Sequence, residues 1–272
     1  MSLIVNTLFG QVDKVERSIQ RIREYIPMMK KRGVVTNGAF SGGKDSVVIK
    51  ELTRMAFEGT SEHIPWFYNQ VGIDPPELVQ YIKDFHPEVT RIIPPKPFFT
   101  RMIEKRFPPM RWARWCCEQL KEYRGEGMII IGIRAAESSK RAKRLMFEPC
   151  KTDRKRFFLS PIMDWLDEDV WEFIKTRNLS YCKLYDEGFH RLGCIFCPMA
   201  PASQIKKQAE RWPKFRNAFI SGFRKLMKFR IERGLPVDNW DDAEAMFEWW
   251  ILRGKRAKDK LHEDQQCFKF DN

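Results

Sequence analysis

Between a strand-like run, Val34 to Phe40, and a helix-like run, Val47 to Phe57, lie six residues that leave few folds open: Ser41-Gly42-Gly43-Lys44-Asp45-Ser46. Two adjacent glycines let the backbone turn sharply and direct its N–H groups inward, and the following helix aims the positive end of its dipole at the same point. Such a turn binds an anion, most often phosphate. Lys44 adds a mobile positive charge, Ser41 and Ser46 add hydroxyl donors, and Asp45 is suited to cap the helix or to hold a divalent cation such as Mg²⁺. A Gly-Gly pair alone is an ordinary strand-to-helix turn; the added Ser, Lys, Asp and Ser make it a phosphate loop. It is not a Walker A loop, which needs four residues between its first Gly and a Gly-Lys-Ser/Thr ending.

The pattern around this loop alternates strand and helix. Ile64 to Val71 reads as a second buried strand, Pro76 to Phe85 as a helix, Thr90 to Ile93 as a third strand and Met128 to Ile133 as a strong apolar strand. Phe98 to Arg106 and Cys117 to Tyr123 read as helices. Such alternation predicts an α/β fold with a doubly wound, mostly parallel sheet and right-handed crossovers. Ligands bind at the carboxyl ends of strands in these sheets, where Ser41, Gly72 and Arg134 all fall. Arginine suits bidentate recognition of phosphate or sulfate, which makes Arg134 and Arg141 anion-site candidates; Lys143 and Arg144 read as surface charge.

Ahead of the sheet, Val12, Val15, Ile19, Ile22 and Ile26 form one apolar stripe, predicting a leading helix that Pro27 disrupts. Beyond Pro198, Phe215, Phe219, Phe223 and Met227 recur every four residues, and Asp241-Asp242 opens another aromatic helix. Aromatic stripes at helical spacing are usually core rather than a nucleic-acid stacking surface. The expected organisation is an N-terminal helix (1–33), a nucleotide-binding α/β domain (34–200) and a helical C-terminal extension (201–272).

A 272-residue chain with 43% hydrophobic and 13% aromatic residues is not a disordered protein. With no apolar run long enough to cross a membrane and no signal-peptide core, a cytoplasmic protein is expected. The net charge of +13 is uneven: residues 91–156 hold 18 Lys/Arg against 7 Asp/Glu. A basic block beside a phosphate loop suits a small bisphosphorylated nucleotide or a nucleic acid, and is also compatible with a solvated basic face.

In a cytosolic chain, seven cysteines read as metal ligands or reactive thiols rather than as a disulfide framework. Cys194 and Cys197 form a C-x-x-C, and Cys116-Cys117 is a vicinal pair. Four thiols in two tight groups can enclose one metal centre. Adjacent cysteines are awkward ligands for one zinc ion, whereas a cubane offers each thiolate its own iron, so a [4Fe–4S] cluster is favoured. Cys150 and Cys182 read as structural thiols.

These segments resemble the phosphoadenylyl-sulfate (PAPS) reductase family and, through Ser41 to Ser46, the pyrophosphate loop SGGxDS of the N-type ATP pyrophosphatases. The resemblance also runs through Gly72-Ile73-Asp74-Pro75-Pro76-Glu77, Cys116-Cys117-Glu118-Gln119-Leu120-Lys121, Gly132 to Ser138, Pro161 to Trp165, Asp169-Val170-Trp171, Tyr185-Asp186-Glu187-Gly188 and Gly193 to Pro198, in the family's order. It implies an adenine-nucleotide substrate (PAPS, APS or ATP) and, again, an iron–sulfur cluster on the four cysteines. The first activity it implies is reduction of an adenylyl sulfate to sulfite through an enzyme S-sulfocysteine, with a thioredoxin-like reductant. Cys267 is the candidate nucleophile, although Gln265-Gln266-Cys267-Phe268-Lys269 departs from the family's Glu-Cys-Gly-x-His tail. The second is an ATP pyrophosphatase that adenylates a substrate, nucleic acid among the candidates, in a sulfur-transfer or thio-modification pathway. The loop keeps every residue a pyrophosphate would want, and the missing tail motif also favours this alternative. A non-catalytic nucleotide-binding regulator is the third.

Overall fold

The computed structural model describes residues 3–8, 10–122, 126–151, 153, 155–237 and 239–252. In chain order the strands and α-helices are β1 (Ile4–Thr7), β2 (Gly10–Asp13), α1 (Lys14–Lys31), β3 (Thr36–Ala39), α2 (Lys44–Ala56), β4 (Trp66–Asn69), α3 (Pro76–Phe85), β5 (Thr90–Ile92), α4 (Phe98–Glu104), β6 (Met128–Ile130), α5 (Ser139–Ala142), β7 (Phe147–Pro149), β8 (Phe157–Leu159), α6 (Asp167–Thr176), α7 (Ala202–Arg211), α8 (Pro213–Glu232) and α9 (Ala243–Ile251). They divide into two compact units, Met1–Pro95 with Cys117–Cys194, and Lys96–Cys116 with Ile195–Asn272.

The first unit is built on a six-stranded sheet of order β5-β4-β3-β6-β8-β7. β3 pairs in parallel with both β4 and β6, and only the edge strand β7 runs antiparallel, against β8. This is the α/β, mostly parallel sheet that the alternating pattern predicts. Met128, Ile129 and Ile130 of β6 are all buried, as expected for a parallel strand covered on both faces. After β5 the chain returns to the far side of β3, so the strand order reverses between β3 and β6. That reversal opens a crevice at their carboxyl ends. Gly38 in β3 admits the Trp66 indole of β4: a Cβ there would sit 2.2 Å from the ring.

Two local expectations at the amino end differ from what is observed. Residues ahead of Lys14 pair as an antiparallel β1–β2 hairpin, and Asp13 caps α1 by accepting from the N–H groups of Val15 and Glu16. Pro27 sits inside α1 without ending it. The helix is held from outside its own hydrogen bonds, because Ile19, Ile22, Ile26 and Met29 are buried and Ser18 Oγ joins Pro161 O and the Trp165 indole. Tertiary packing of that face outweighs the hydrogen bond that proline removes. At the far edge, β7 and β8 form a hairpin that the sequence pattern does not announce.

The second unit comprises α4, α7, α8 and α9. Phe196, Phe219, Phe223, Phe247 and Trp250 pack there as an aromatic core, with Phe196 edge-on to both Phe219 and Phe247. No helix among the described residues is long and apolar enough to cross a membrane.

Candidate functional site

The loop leaves β3 at Ala39 and enters α2 at Lys44. Gly42 has φ +72°, and a Cβ there would lie 2.6 Å from Leu78 Cδ1, so this turn takes glycine both for its dihedral and for its contact. Ser41 and Ser46 brace the loop from within. Ser41 Oγ accepts from the Gly43 N–H (3.4 Å), and Ser46 Oγ donates to Gly43 O (2.7 Å). Gly43 caps α2 without a side chain, and the Lys44 N–H donates to the Tyr185 hydroxyl at 2.9 Å.

Four charges meet at this turn. Arg134, just beyond β6, donates from Nε to Asp45 Oδ1 (2.6 Å) and from a terminal nitrogen to Asp167 Oδ1 (2.8 Å). Lys44 Nζ lies 3.0 Å from the same Asp167 oxygen and 3.7 Å from Asp45 Oδ2. Gly132 lets β6 come this close to α2, because a Cβ there would stand 3.0 Å from the Asp45 backbone. The Lys44 and Arg134 side chains are only 6% and 4% exposed, whereas Asp167 is 55% exposed. Partial burial pushes the Asp167 carboxyl up, but hydrogen bonding and charge from Lys44 and then Arg134 outweigh it and hold the group below the usual carboxylate range. Burial works against the Arg134 guanidinium, while Asp45, Asp167 and Glu137 hold its proton more firmly than usual.

The turn opens into a cleft of ≈ 630 Å³, within the range of small-molecule sites. Ser41, Gly43, Lys44, Asp45, Ser46, Arg134 and Arg141 line it. Arg141 is steered by an ion pair with Glu137, which also accepts from the Arg134 N–H at 3.1 Å. Gly42 packs away against α3, and Gly72 is not among the lining residues. The Gly72 N–H instead donates to Asp74 Oδ2 (3.3 Å). Burial pushes the Asp74 carboxyl up, against the opposing pull of Lys121, Tyr68 and the Val71 and Gly72 amides.

Several lining residues escaped the sequence reading of the site: Asp167, Tyr185, Asn69, Lys121 and Cys150. Asp167 opens α6 and Tyr185 sits in Tyr185-Asp186-Glu187-Gly188, so family segments flagged their neighbourhoods without giving roles. Nothing local marks Cys150, and its placement in the cleft differs from the packed structural thiol expected. A second cleft of ≈ 510 Å³ lies near the start of β4. There Lys50 pairs with Glu88 and Arg54 with Glu51 and Glu58, and the Ser41–Ser46 loop does not reach it.

Of the four candidate cluster ligands, Cys117 and Cys194 belong to the first unit and Cys116 and Cys197 to the second. Cys194 Sγ lies 4.0 Å from Asp74 Oδ1. Among the described residues, no group of three or more His, Cys, Asp or Glu side chains is gathered tightly enough to hold a metal ion. Cys267 lies outside the described residues.

A doubly wound sheet with a phosphate-type loop at the reversal of its strand order defines the class of α/β domain. Within that class, residues 36–200 match the phosphoadenosine phosphosulfate reductase domain, more than half of the chain, and the chain belongs to that family. A similar protein of unassigned role from Methanocaldococcus jannaschii is 26% identical over 267 residues, 93% of this chain and 60% of that protein. A probable FAD synthase of Schizosaccharomyces pombe is 27% identical over 166 residues, 58% of each chain. An adenosine 5'-phosphosulfate reductase of Staphylococcus epidermidis is 29% identical over 190 residues, 63% of this chain and 74% of the relative. The chain thus spans only about three fifths of the first two relatives' length.

Proposed function

We propose that the cleft binds an adenine nucleotide by its phosphates and that the chain is an ATP pyrophosphatase, adenylating an acceptor in a sulfur-transfer or thio-modification pathway. The observation that carries this reading is the alternation of Lys44 and Arg134 with Asp45 and Asp167 at the loop. Two hard carboxylates beside a phosphate site are what Mg²⁺·ATP uses, since Mg²⁺ is held by one or two carboxylates together with substrate phosphates. Asp45 and Asp167 would hold that ion, which supplies neutralisation of phosphate charge when bound. In this mechanism an acceptor oxygen attacks the α-phosphorus, and the bond from that phosphorus to the bridging oxygen breaks. Pyrophosphate leaves with the electron pair. Lys44, Arg134 and the α2 amino terminus stabilise the charge that develops on it.

The second reading is the adenylyl-sulfate reductase. Its specific support is Cys150, which lines the same cleft as Arg141, Arg144 and Arg156. There a thiolate attacks the sulfur of APS or PAPS, a sulfur–sulfur bond forms, and the nucleotide phosphate departs. A second thiol, such as that of a thioredoxin-like reductant, then releases sulfite and is itself oxidised to a disulfide. Either Cys150 or Cys267 is the nucleophile in this case. A [4Fe–4S] cluster on Cys116, Cys117, Cys194 and Cys197 is proposed under both readings from the two-plus-two cysteine pattern. A cytoplasmic setting, where thiols stay reduced, suits both as well.

The test is to incubate anaerobically purified protein separately with ATP plus Mg²⁺ and with APS or PAPS plus thioredoxin, assaying pyrophosphate and sulfite. Pyrophosphate release from ATP that is lost in Asp45→Ala is the expected result. Sulfite release without pyrophosphate release overturns the first reading in favour of the second.

A further inference from the structure

The first amides of α2 are already engaged. The Lys44 N–H donates to the Tyr185 hydroxyl at 2.9 Å, the Gly43 N–H to Ser41 Oγ at 3.4 Å and the Ser46 N–H to Gly43 O at 2.9 Å. A phosphate at the loop therefore meets the Tyr185 oxygen where an uncovered helix amino terminus would offer the Lys44 N–H. The ring that carries this oxygen is fixed. Trp171 packs edge-on against it, with centroids 5.1 Å and planes 88° apart, and Lys44 Nζ lies over it, 5.8 Å from its centroid. Its backbone is tied on both sides, the Tyr185 N–H donating to Cys182 O (3.1 Å) and the Gly188 N–H to Tyr185 O (3.0 Å). The oxygen stands so near the turn that a Cβ on Gly43 would lie 3.4 Å from it.

A phenol that accepts one hydrogen bond keeps its own proton to give. The Tyr185 hydroxyl accepts from Lys44, and among the described residues nothing accepts its proton in turn. Burial pushes this phenol well above its ordinary value against the pull of the Lys44 amide, and the Asp45 and Asp167 charges push the same way as burial, so the group is a donor throughout neutral pH. Tyr185 lines the same cleft as Ser41, Lys44, Asp45 and Arg134. A phosphate oxygen bound there is the acceptor that this proton lacks. The Lys44 N–H polarises the hydroxyl it donates to, which makes the O–H a stronger donor.

We infer that Tyr185 is a phosphate-binding residue whose hydroxyl extends the α2 amino terminus, accepting from the Lys44 N–H and donating to a phosphate oxygen held at the loop. The inference rests on the reading of the cleft as a phosphate site and holds for either reaction proposed there. In adenylation that oxygen belongs to the departing pyrophosphate. Negative charge grows on it as the bond to the α-phosphorus breaks, so the same hydrogen bond strengthens in the transition state while Tyr185 keeps its proton. A hydroxyl that merely covered the Lys44 amide would give the opposite sign, since its removal would free that N–H for the phosphate.

The test is calorimetric titration of the full chain with pyrophosphate in EDTA, parent against Tyr185→Phe, which keeps the ring beside Trp171 and beneath Lys44 and removes only the hydroxyl. Binding should weaken about tenfold, the lower end for one hydrogen bond to a charged group. Unchanged or tighter binding overturns the inference and makes Tyr185 a cap on the Lys44 amide. Should Tyr185→Phe be too unstable to titrate, a difluorotyrosine placed at position 185 decides. Its ring fluorines make the phenol more acidic, so pyrophosphate affinity should fall with rising pH earlier than in the parent, and coinciding profiles overturn the inference. Lys44→Ala separates the two possible failures. If the parent binds no pyrophosphate, or Lys44→Ala binds it as the parent does, the phosphate reading falls and the inference with it. If Lys44→Ala weakens binding and Tyr185→Phe does not, the inference alone falls.

Discussion

Asp167 occupies the place that an incoming phosphate must share. One of its oxygens accepts from both Lys44 Nζ (3.0 Å) and Arg134 (2.8 Å), and its own side chain is 55% exposed while both cations are buried. Because Lys44 and Arg134 hold its carboxyl below the usual range, it is ionised at neutral pH. Asp167→Asn keeps the shape and an accepting carbonyl but removes one negative charge. A phosphate oxygen resting on Lys44 would lie about 5 Å from that carboxylate, where repulsion between unit charges is about 1–3 kcal/mol for effective dielectrics between water and a protein surface. Half-exposure places the effect at the lower end, so without divalent cations pyrophosphate should bind about fivefold more tightly to the variant. With Mg²⁺ the sign should reverse, because the variant has lost a hard oxygen ligand for Mg²⁺·ATP. The depressed pKa adds a condition on pH. The carboxylate's contribution is fully present above its unfolded value of about 3.9 and is lost only below it, so the difference between parent and variant should stay constant from about pH 5 to 8. Isothermal titration of pyrophosphate in EDTA and of ATP in Mg²⁺ reads both signs. Weaker pyrophosphate binding in EDTA, or a shift of the same sign in both conditions, would refute the competition described here.

Lys44→Ala should weaken adenine-nucleotide binding roughly ten- to a hundredfold, about 1.5–3 kcal/mol, with the fold retained; unchanged affinity by titration would make the loop structural. Gly38→Ala should destabilise the first unit by at least about 1–3 kcal/mol in urea unfolding, because the new methyl would meet the Trp66 ring at 2.2 Å, and an unchanged midpoint would show that the strands simply part. Burial, with Lys50 beside it and Glu88 opposing, lowers His86 to about 4. Its neutral form is thus favoured in the folded state, so stability should fall as pH drops from about 6.5 towards 4, by about 1.4 kcal/mol per unit at most, and His86→Gln should flatten that part of the profile. Protein purified without oxygen should be brown, with about four iron and four sulfide per chain, and Cys194→Ser should remove the colour; colourless protein with one zinc would refute the cluster.

The sequence by itself determined those features whose cause is local. Two glycines followed by Lys44, Asp45 and Ser46 mark a strand-to-helix turn in any context, and α3 starts and stops at Pro76 and Phe85 as its pattern predicts. Alternating apolar runs likewise fixed the parallel sheet, since only crossover helices connect such strands. Tertiary structure decided what depends on residues far apart in the chain. Arg134 reaches Asp45 across 89 positions, and the Tyr185 hydroxyl meets the Lys44 amide across 141. No periodicity encodes such a meeting, and Asp167 joins the site only because α6 packs beside α2. Pro27 departs from its local rule for the same reason: proline alone ends a helix, and packing of Ile22, Ile26 and Met29 overrides it. Cys150 and Trp112 show the limit most directly. Burial is a property of the assembled chain, and only the fold shows one of them lining a cationic cleft and the other largely exposed.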